Sequence, residues 1–270
     1  HQGRCRTSGG ALRGPSVVRA DTSAKADCRL SFTAVASREV IALTTPADIR
    51  FDVSLYTVSE AAWFLGVRRG TLTDWARGAA SGSRSAPIIS ATPSRRLEPT
   101  IPFVGLAEGL VVASFRRAGV SLQHIRKAVA ALETEIGIDY ALASRQLYTD
   151  GASVLYDYAR SHRGEDEVLT HVVTQQRVFT PVVQEYLQCI TYGDDGYPTL
   201  IYSPVTPRQI VAADPARSFG QPMFGRSGVR VEDVLDRWAA GEPLSDVADD
   251  FGIPAEDIED VLRARLASAV

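Results

Sequence analysis

One spacing of residue types recurs near both ends of this 270-residue chain and constrains its fold more than any other feature. In TVSEAAWFLGVRRGTLTDWARG it falls on Ala62, Gly66, Leu72 and Trp75. In LSDVADDFGIPAEDIEDVLRAR it falls on Ala248, Gly252, Ile258 and Val261. A small residue lets two helices cross closely, glycine makes the turn, and the two apolar positions bury the second helix. Both stretches therefore predict a helix-turn-helix. Their second helices differ in charge. The first carries Arg68, Arg69 and Arg77 against Asp74; the second carries Glu256, Asp257, Glu259 and Asp260, with arginines only at its far end. The first can approach a polyanion, and the second should be repelled by one.

Length leaves room for two compact domains and their connections. The net charge of −3 gives no global reason to bind nucleic acid or a membrane surface. Its distribution is informative: residues 1–50, 51–135, 136–222 and 223–270 carry +4, +3, −4 and −6. Such a gradient points to different partners for the two halves. Cys5, Cys28 and Cys189 are too few and scattered for a disulfide framework or a cysteine zinc site, which fits a reducing compartment. No apolar run approaches the roughly 18 residues of a membrane span. All but two of the 29 basic residues are arginine, a bias expected of GC-rich bacterial coding.

The pattern along the chain predicts a mainly α fold with small β hairpins: an N-terminal winged helix-turn-helix plus a C-terminal three-helix, helix-turn-helix-like domain. Residues 1–50 are expected to be a disordered or non-native extension; a transit peptide is the weaker reading of their Arg- and Ser-rich start. Residues 51–136 form the first domain. Thr57 and Glu60 are spaced as a capping box. Pro87–Ser90 and Arg95–Glu98 read as the strands of a β wing. Phe103–Arg117 is an apolar helix. Ser121 then caps a helix in which Leu122, Ile125, Val129, Leu132 and Ile136 form a two-heptad seam, either core or a dimer contact.

Residues 137–213 read as a mixed connecting segment. One hairpin is expected around Asp150-Gly151, a helix over Phe179–Cys189, and a second hairpin around Asp194-Asp195-Gly196. The run 214–222 reads as a linker or entry loop. Residues 214–270 form the acidic trihelical domain. Val231, Val234, Leu235 and Trp238 make one apolar stripe, with Trp238 expected in the core; Ser245 is a candidate cap, and Pro254 stands near the start of the last helix.

Groove recognition needs an outward helix face of cationic and hydrogen-bonding groups, with phosphate contacts setting its register. Arg68, Arg69, Thr71, Thr73 and Arg77 meet that need in the first unit. Arg84, Arg95 and Arg96 of the wing can reach neighbouring phosphates. Glu232–Asp260 holds eleven acids and one base, Arg237. Asp249, Asp250, Glu256, Asp257 and Asp260 are candidates for binding a basic protein, the alternative being a solvated face. No catalytic constellation emerges: the four histidines lack metal or triad spacing, and no phosphate loop or nucleophile elbow is present. Asp194-Asp195 reads as turn chemistry, and no cofactor is implied.

YTVSEAAWFLGVRRGTLTDWARG and the later RAGVSLQHIR resemble the DNA-binding domain of MerR-type regulators, over residues 55–135. The chain departs from that family where Thr73 and Asp74 follow Thr71-Leu72. Residues 214–262, marked by Gly225-Arg226-Ser227-Gly228-Val229-Arg230-Val231 and Gly241-Glu242, resemble the trihelical domain of unknown function in VapB-type antitoxins; 178–204 is similar to the segment preceding it in larger members. The resemblance implies an antitoxin that partners a PIN-like ribonuclease toxin, binds operator DNA as a homodimer and represses its own transcription in the cytoplasm, away from membranes. Two rivals stand beside it. One is a ligand-responsive MerR-type regulator with a pocket around Tyr140, Tyr148, Tyr156 or Tyr158. The other is a protein-interaction scaffold, for which Arg68, Arg69 and Arg77 would be buried or paired with acids.

Overall fold

The computed structural model of the chain describes residues 48–78, 86–93, 98–137, 139–147 and 188–268. The expected extension up to residue 47, the hairpin around Asp150-Gly151 and most of the Phe179–Cys189 helix lie outside them, as do Arg84, Arg95 and Arg96.

The N-terminal part runs α1 (Ile49–Asp52), β1 (Ser54–Tyr56), α2 (Val58–Leu65), α3 (Arg69–Arg77), β2 (Ile101–Pro102), α4 (Phe103–Arg117) and α5 (Leu122–Ile136). The capping box forms as spaced: Thr57 Oγ1 accepts from the Glu60 amide at 3.2 Å, and the Glu60 carboxylate accepts from the Thr57 amide at 2.7 Å. Gly66 ends α2 at φ 65°, and the Val67 amide reaches back to the Ala62 carbonyl at 3.0 Å. That left-handed closure is why glycine stands there. Leu72 and Trp75 are buried against α2 and α4, completing the first helix-turn-helix.

The first expected wing strand, Pro87–Ser90, differs from expectation; of the second, Arg95–Glu98, only Glu98 is described. Among the described residues, 86–93 form bends rather than a strand, and β1 pairs antiparallel with β2 instead. Two groups of α4 account for the bends. A Cβ at Gly105 would lie 2.2 Å from the Ser90 carbonyl oxygen, so the absent side chain lets this segment press onto the helix. Glu108 Oε2 accepts the Ser90 amide at 2.5 Å. The Ile88 amide donates to the Trp75 carbonyl at 2.8 Å, closing the end of α3. With Ile88 and Ile89 buried, the segment packs as a strap instead of projecting as a ladder.

The C-terminal part holds a four-stranded antiparallel sheet in the order β3 (Ile190–Tyr192), β4 (Pro198–Tyr202), β5 (Val211–Ala213), β6 (Met223–Phe224). The β3–β4 hairpin turns through Asp194-Asp195-Gly196 as expected. The stretch expected as a linker or entry loop is a loop within one sheet, because β5 and β6 pair on either side of it. The sheet thus crosses the division expected at residues 213/214. The two connections are alike. Ser203 Oγ accepts from the Val205 amide, and eleven residues later Asp214 Oδ1 accepts from the Ala216 amide. Each is followed by a 3-10 turn with left-handed backbone, Arg208 and Gln209 (φ 56° and 53°) in the first, Phe219 and Gly220 (φ 51° and 76°) in the second.

Helices α6 (Val231–Ala239), α7 (Leu244–Phe251) and α8 (Ala255–Ser268) follow. Gly252 repeats the Gly66 geometry at φ 62°, with the Ile253 amide donating to the Ala248 carbonyl. Ile258 and Val261 are buried. Two local expectations fail. Pro243, not Ser245, occupies the cap position of α7 with no side-chain bond, and the Ser245 hydroxyl donates to Asp246. Trp238 is 42% exposed, because Val231, Val234 and the half-buried Leu235 make the contact of α6 with the core.

The two parts share one core. The Tyr56 hydroxyl, fully buried, donates to the Gly220 carbonyl at 2.7 Å, and the buried Ser203 hydroxyl donates to the Phe64 carbonyl at 2.6 Å. The Arg265 guanidinium of α8 lies 4.0 Å from the Trp63 ring centre and pairs with Glu232 of α6 at 2.6 Å. α2 therefore packs on the C-terminal part with the face turned away from α3.

Candidate nucleic-acid interface

α3 is amphipathic. Leu72, Trp75 and Ala76 are buried, whereas Arg68, Arg69, Gly70, Thr71, Asp74 and Arg77 are exposed. Among the described residues Arg68, Arg69 and Arg77 form no ion pair, so their guanidinium donors face solvent free for phosphate or base edges. Thr73 is half-buried and its hydroxyl donates to the Arg69 carbonyl at 2.8 Å. That bond leaves it only as an acceptor, a weaker base reader than Thr71.

The strap after α3 governs how that helix is seated. Glu108 is 5% exposed, and burial pushes its carboxyl up to about 7 despite the hydrogen bonds from Ser90. It stands alone as an acid in the apolar run Phe103–Phe115, and that isolation was the sequence signal that could have marked it. Beside the strap, Arg126 Nε donates to the Ala86 carbonyl at 3.2 Å, tying α5 to the same segment.

The α5 seam is partly used inside the chain. Ile125 is buried, and Leu122 and Val129 are half-buried against the same core. The side chains of Leu132, Ile136 and His124 lie outside the described residues. Ile125 thus serves as core, the alternative its heptad spacing had left open.

The acidic face is partly neutralised from within. Arg208, a residue the sequence did not single out, donates to Glu256 at 2.9 Å and to Asp257 and Asp260 at 3.1 Å each. Its left-handed turn aims it at the first turns of α8. Arg237 bridges Glu242 and Asp250. Of the five proposed partner-binding acids, Asp249 alone is exposed without an ion pair among the described residues. Tyr140 packs on the Phe51 ring at 5.1 Å between centres, and Tyr148, Tyr156 and Tyr158 lie outside the described residues. No helix among the described residues is long and apolar enough to cross a membrane.

Comparison with known proteins adds to this geometry. Residues 54–129 match the family described as a putative DNA-binding HTH domain, and residues 211–263 match a family of proteins of unknown function, DUF433. The second match begins at β5, so it takes in the β5–β6 pair together with the three helices. The chain is 41% identical over 230 residues to the protein named putative antitoxin VapB45 of Mycobacterium tuberculosis, covering 80% of this chain and 96% of that one. It is 24% identical over 229 residues to the uncharacterized protein Rv2308 of the same organism, covering 78% and 90%. The crystal structure of Rv2018 from Mycobacterium tuberculosis superposes with a TM-score of 0.67 at 40% identity, over 79% of this chain and 99% of that one.

Proposed function

The chain belongs to the family of the putative antitoxin VapB45, and from that premise we propose that it is an antitoxin that binds DNA through α3. The observation that carries DNA binding is the exposure of Arg68, Arg69 and Arg77 with no ion pair among the described residues. A scaffold would have paired or buried them. The helix enters a major groove, Arg69, Thr71 and Arg77 facing base edges and Arg68 facing phosphate. Arg84, Arg95 and Arg96 lie in the segment between α3 and β2 and add phosphate contacts. The MerR-like character of this domain is part of the same reading.

The antitoxin partners a PIN-like ribonuclease toxin, masks its nuclease in the complex and represses its own operon as a homodimer in the cytoplasm. It catalyses nothing itself. The exposed acids of α6–α8, Asp249 first among them, attract a basic partner surface. The reading assigns DNA binding to residues 51–136 and partner binding to the acidic helices that follow β6.

The test is binding of the full chain to the DNA upstream of its own gene across a salt series. Affinity should fall steeply with salt, and Arg69→Ala or Arg77→Ala should weaken it by roughly 1–3 kcal/mol if either reads a base. Salt-insensitive binding, or binding untouched by both substitutions, would refute the assignment of α3.

A further inference from the structure

The two like-built turns of the sheet have unequal surroundings. In the first, Arg208 occupies the left-handed position and meets three carboxylates of α8. In the second, Phe219 occupies the matching position and is 80% exposed. A bulky side chain in left-handed backbone is strained, and such strain persists where the surroundings or a partner compensate it. Ser218 beside it is also left-handed, at φ 47°. The Tyr56 hydroxyl on the Gly220 carbonyl and the Gln221 side chain on the Leu55 carbonyl hold the backbone of this turn without covering the Phe219 ring.

The charges nearby are unmatched in the same way. Residues 188–268 contain seven arginines, and five of them, Arg208, Arg230, Arg237, Arg263 and Arg265, pair with carboxylates. Arg217 and Arg226 form no ion pair among the described residues. They are neighbours: a Cβ on Gly228 would lie 2.1 Å from Arg217 Nη2, so this guanidinium covers the turn that carries Arg226. The chain also exposes the complement. Asp236, Asp246 and Asp249 of α6 and α7 are exposed and form no ion pair among the described residues, and Trp238 and Leu266 are exposed apolar side chains of α6 and α8.

We propose that the Ser218–Gly220 turn, with Phe219 as anchor and Arg217 and Arg226 as flanking cations, docks onto the acidic α6–α8 face of a second copy of this chain. The first turn shows the chemistry inside one chain, an arginine from a left-handed turn seated on acidic helix α8. The second repeats it between chains, with the aromatic ring taking the central place. A nucleic acid is disfavoured as occupant because the surrounding segment from residue 223 onward carries 11 acids against 5 bases. A two-fold pair uses the contact twice, each turn meeting the other copy's helices, so the association closes. The inference deepens the homodimer within the proposed function and is independent of toxin and operator.

The test is sedimentation equilibrium of the full chain and its variants at low and high salt. The wild type should be a dimer whose dissociation constant rises with salt. Phe219→Gly should raise the melting temperature, because glycine accepts this backbone freely, while weakening the dimer tenfold or more. Arg217→Glu, and the pair Asp246→Asn with Asp249→Asn, should weaken it without lowering the melting temperature. A monomeric wild type, or a dimer unchanged in Phe219→Gly and Arg217→Glu, overturns the proposal. So does a Phe219→Gly variant that dimerises normally but loses affinity for DNA or another protein, which would assign the turn to that partner. Loss of DNA binding by an intact wild-type dimer would instead refute the proposed function and leave this contact standing.

Discussion

Glu108 makes the stability of this protein depend on pH in a window where exposed carboxylates no longer titrate. Its carboxyl is pushed up from 4.5 to about 7, chiefly by burial. Below pH 4.5 it is protonated in both the folded and unfolded chain, and no penalty arises. Between pH 4.5 and 7 the unfolded chain has released the proton while the folded chain retains it, so stability falls as pH rises. Above pH 7 the loss is complete. A difference of this size corresponds to about 3 kcal/mol, a large fraction of the margin of an ordinary domain. Glu108→Gln removes the titration and keeps an oxygen for the Ser90 amide. Its added NH2 group needs a partner, which costs about 1–3 kcal/mol if none is found. The assay is urea unfolding of wild type and Glu108→Gln at pH 5, 6, 7 and 8. The difference between the two cancels the other titrating groups. The variant should gain about 2.5 kcal/mol on the wild type between pH 5 and 8, since part of the full span is already lost by pH 5, whatever its offset there. A difference that stays constant with pH would refute the reasoning. Because Glu108 holds the strap that closes α3, affinity for DNA should decline over the same window in the wild type more than in the variant.

Two further substitutions probe how the parts are joined. Gly105→Ala forces a methyl group against the Ser90 carbonyl and should destabilise the chain by about 1–3 kcal/mol, with amide exchange rising first at Ile88 and Ser90; a neutral result would mean the strap yields freely. Tyr56→Phe leaves the Gly220 carbonyl without its donor and should cost about 1–2 kcal/mol in urea unfolding. An unchanged midpoint would show that water replaces the hydroxyl.

Much of this architecture is legible in the sequence because it obeys short-range rules. The capping box, the left-handed glycines 66 and 252, and the apolar positions 72, 75, 258 and 261 all lie within one or two helical turns of their partners. The bounds of α4 follow from its apolar run, and the β3–β4 hairpin follows from Asp194-Asp195-Gly196. Trp238 was misplaced because a helical stripe shows which side chains share a face and not how wide a contact that face receives. Pro87–Ser90 departs from the expected strand because extended residues near turn formers look alike whether they pair with one another or lie on a helix. What decided the matter was Gly105 and Glu108, far enough along the chain that no local pattern connects them to Ser90.

From its sequence alone this chain determines two helix-turn-helix skeletons with opposite surface charge, since crossing, turning and burying a helix are demands met by near neighbours. The tertiary structure decides which charges remain available. Arg68, Arg69 and Arg77 form no ion pair among the described residues, whereas four of the five candidate partner-binding acids, Asp250, Glu256, Asp257 and Asp260, meet Arg208 or Arg237. Those pairings depend on a left-handed turn in the sheet and on contacts between segments up to some fifty residues apart. Charge along a sequence can be counted, but its neutralisation is a property of the folded surface.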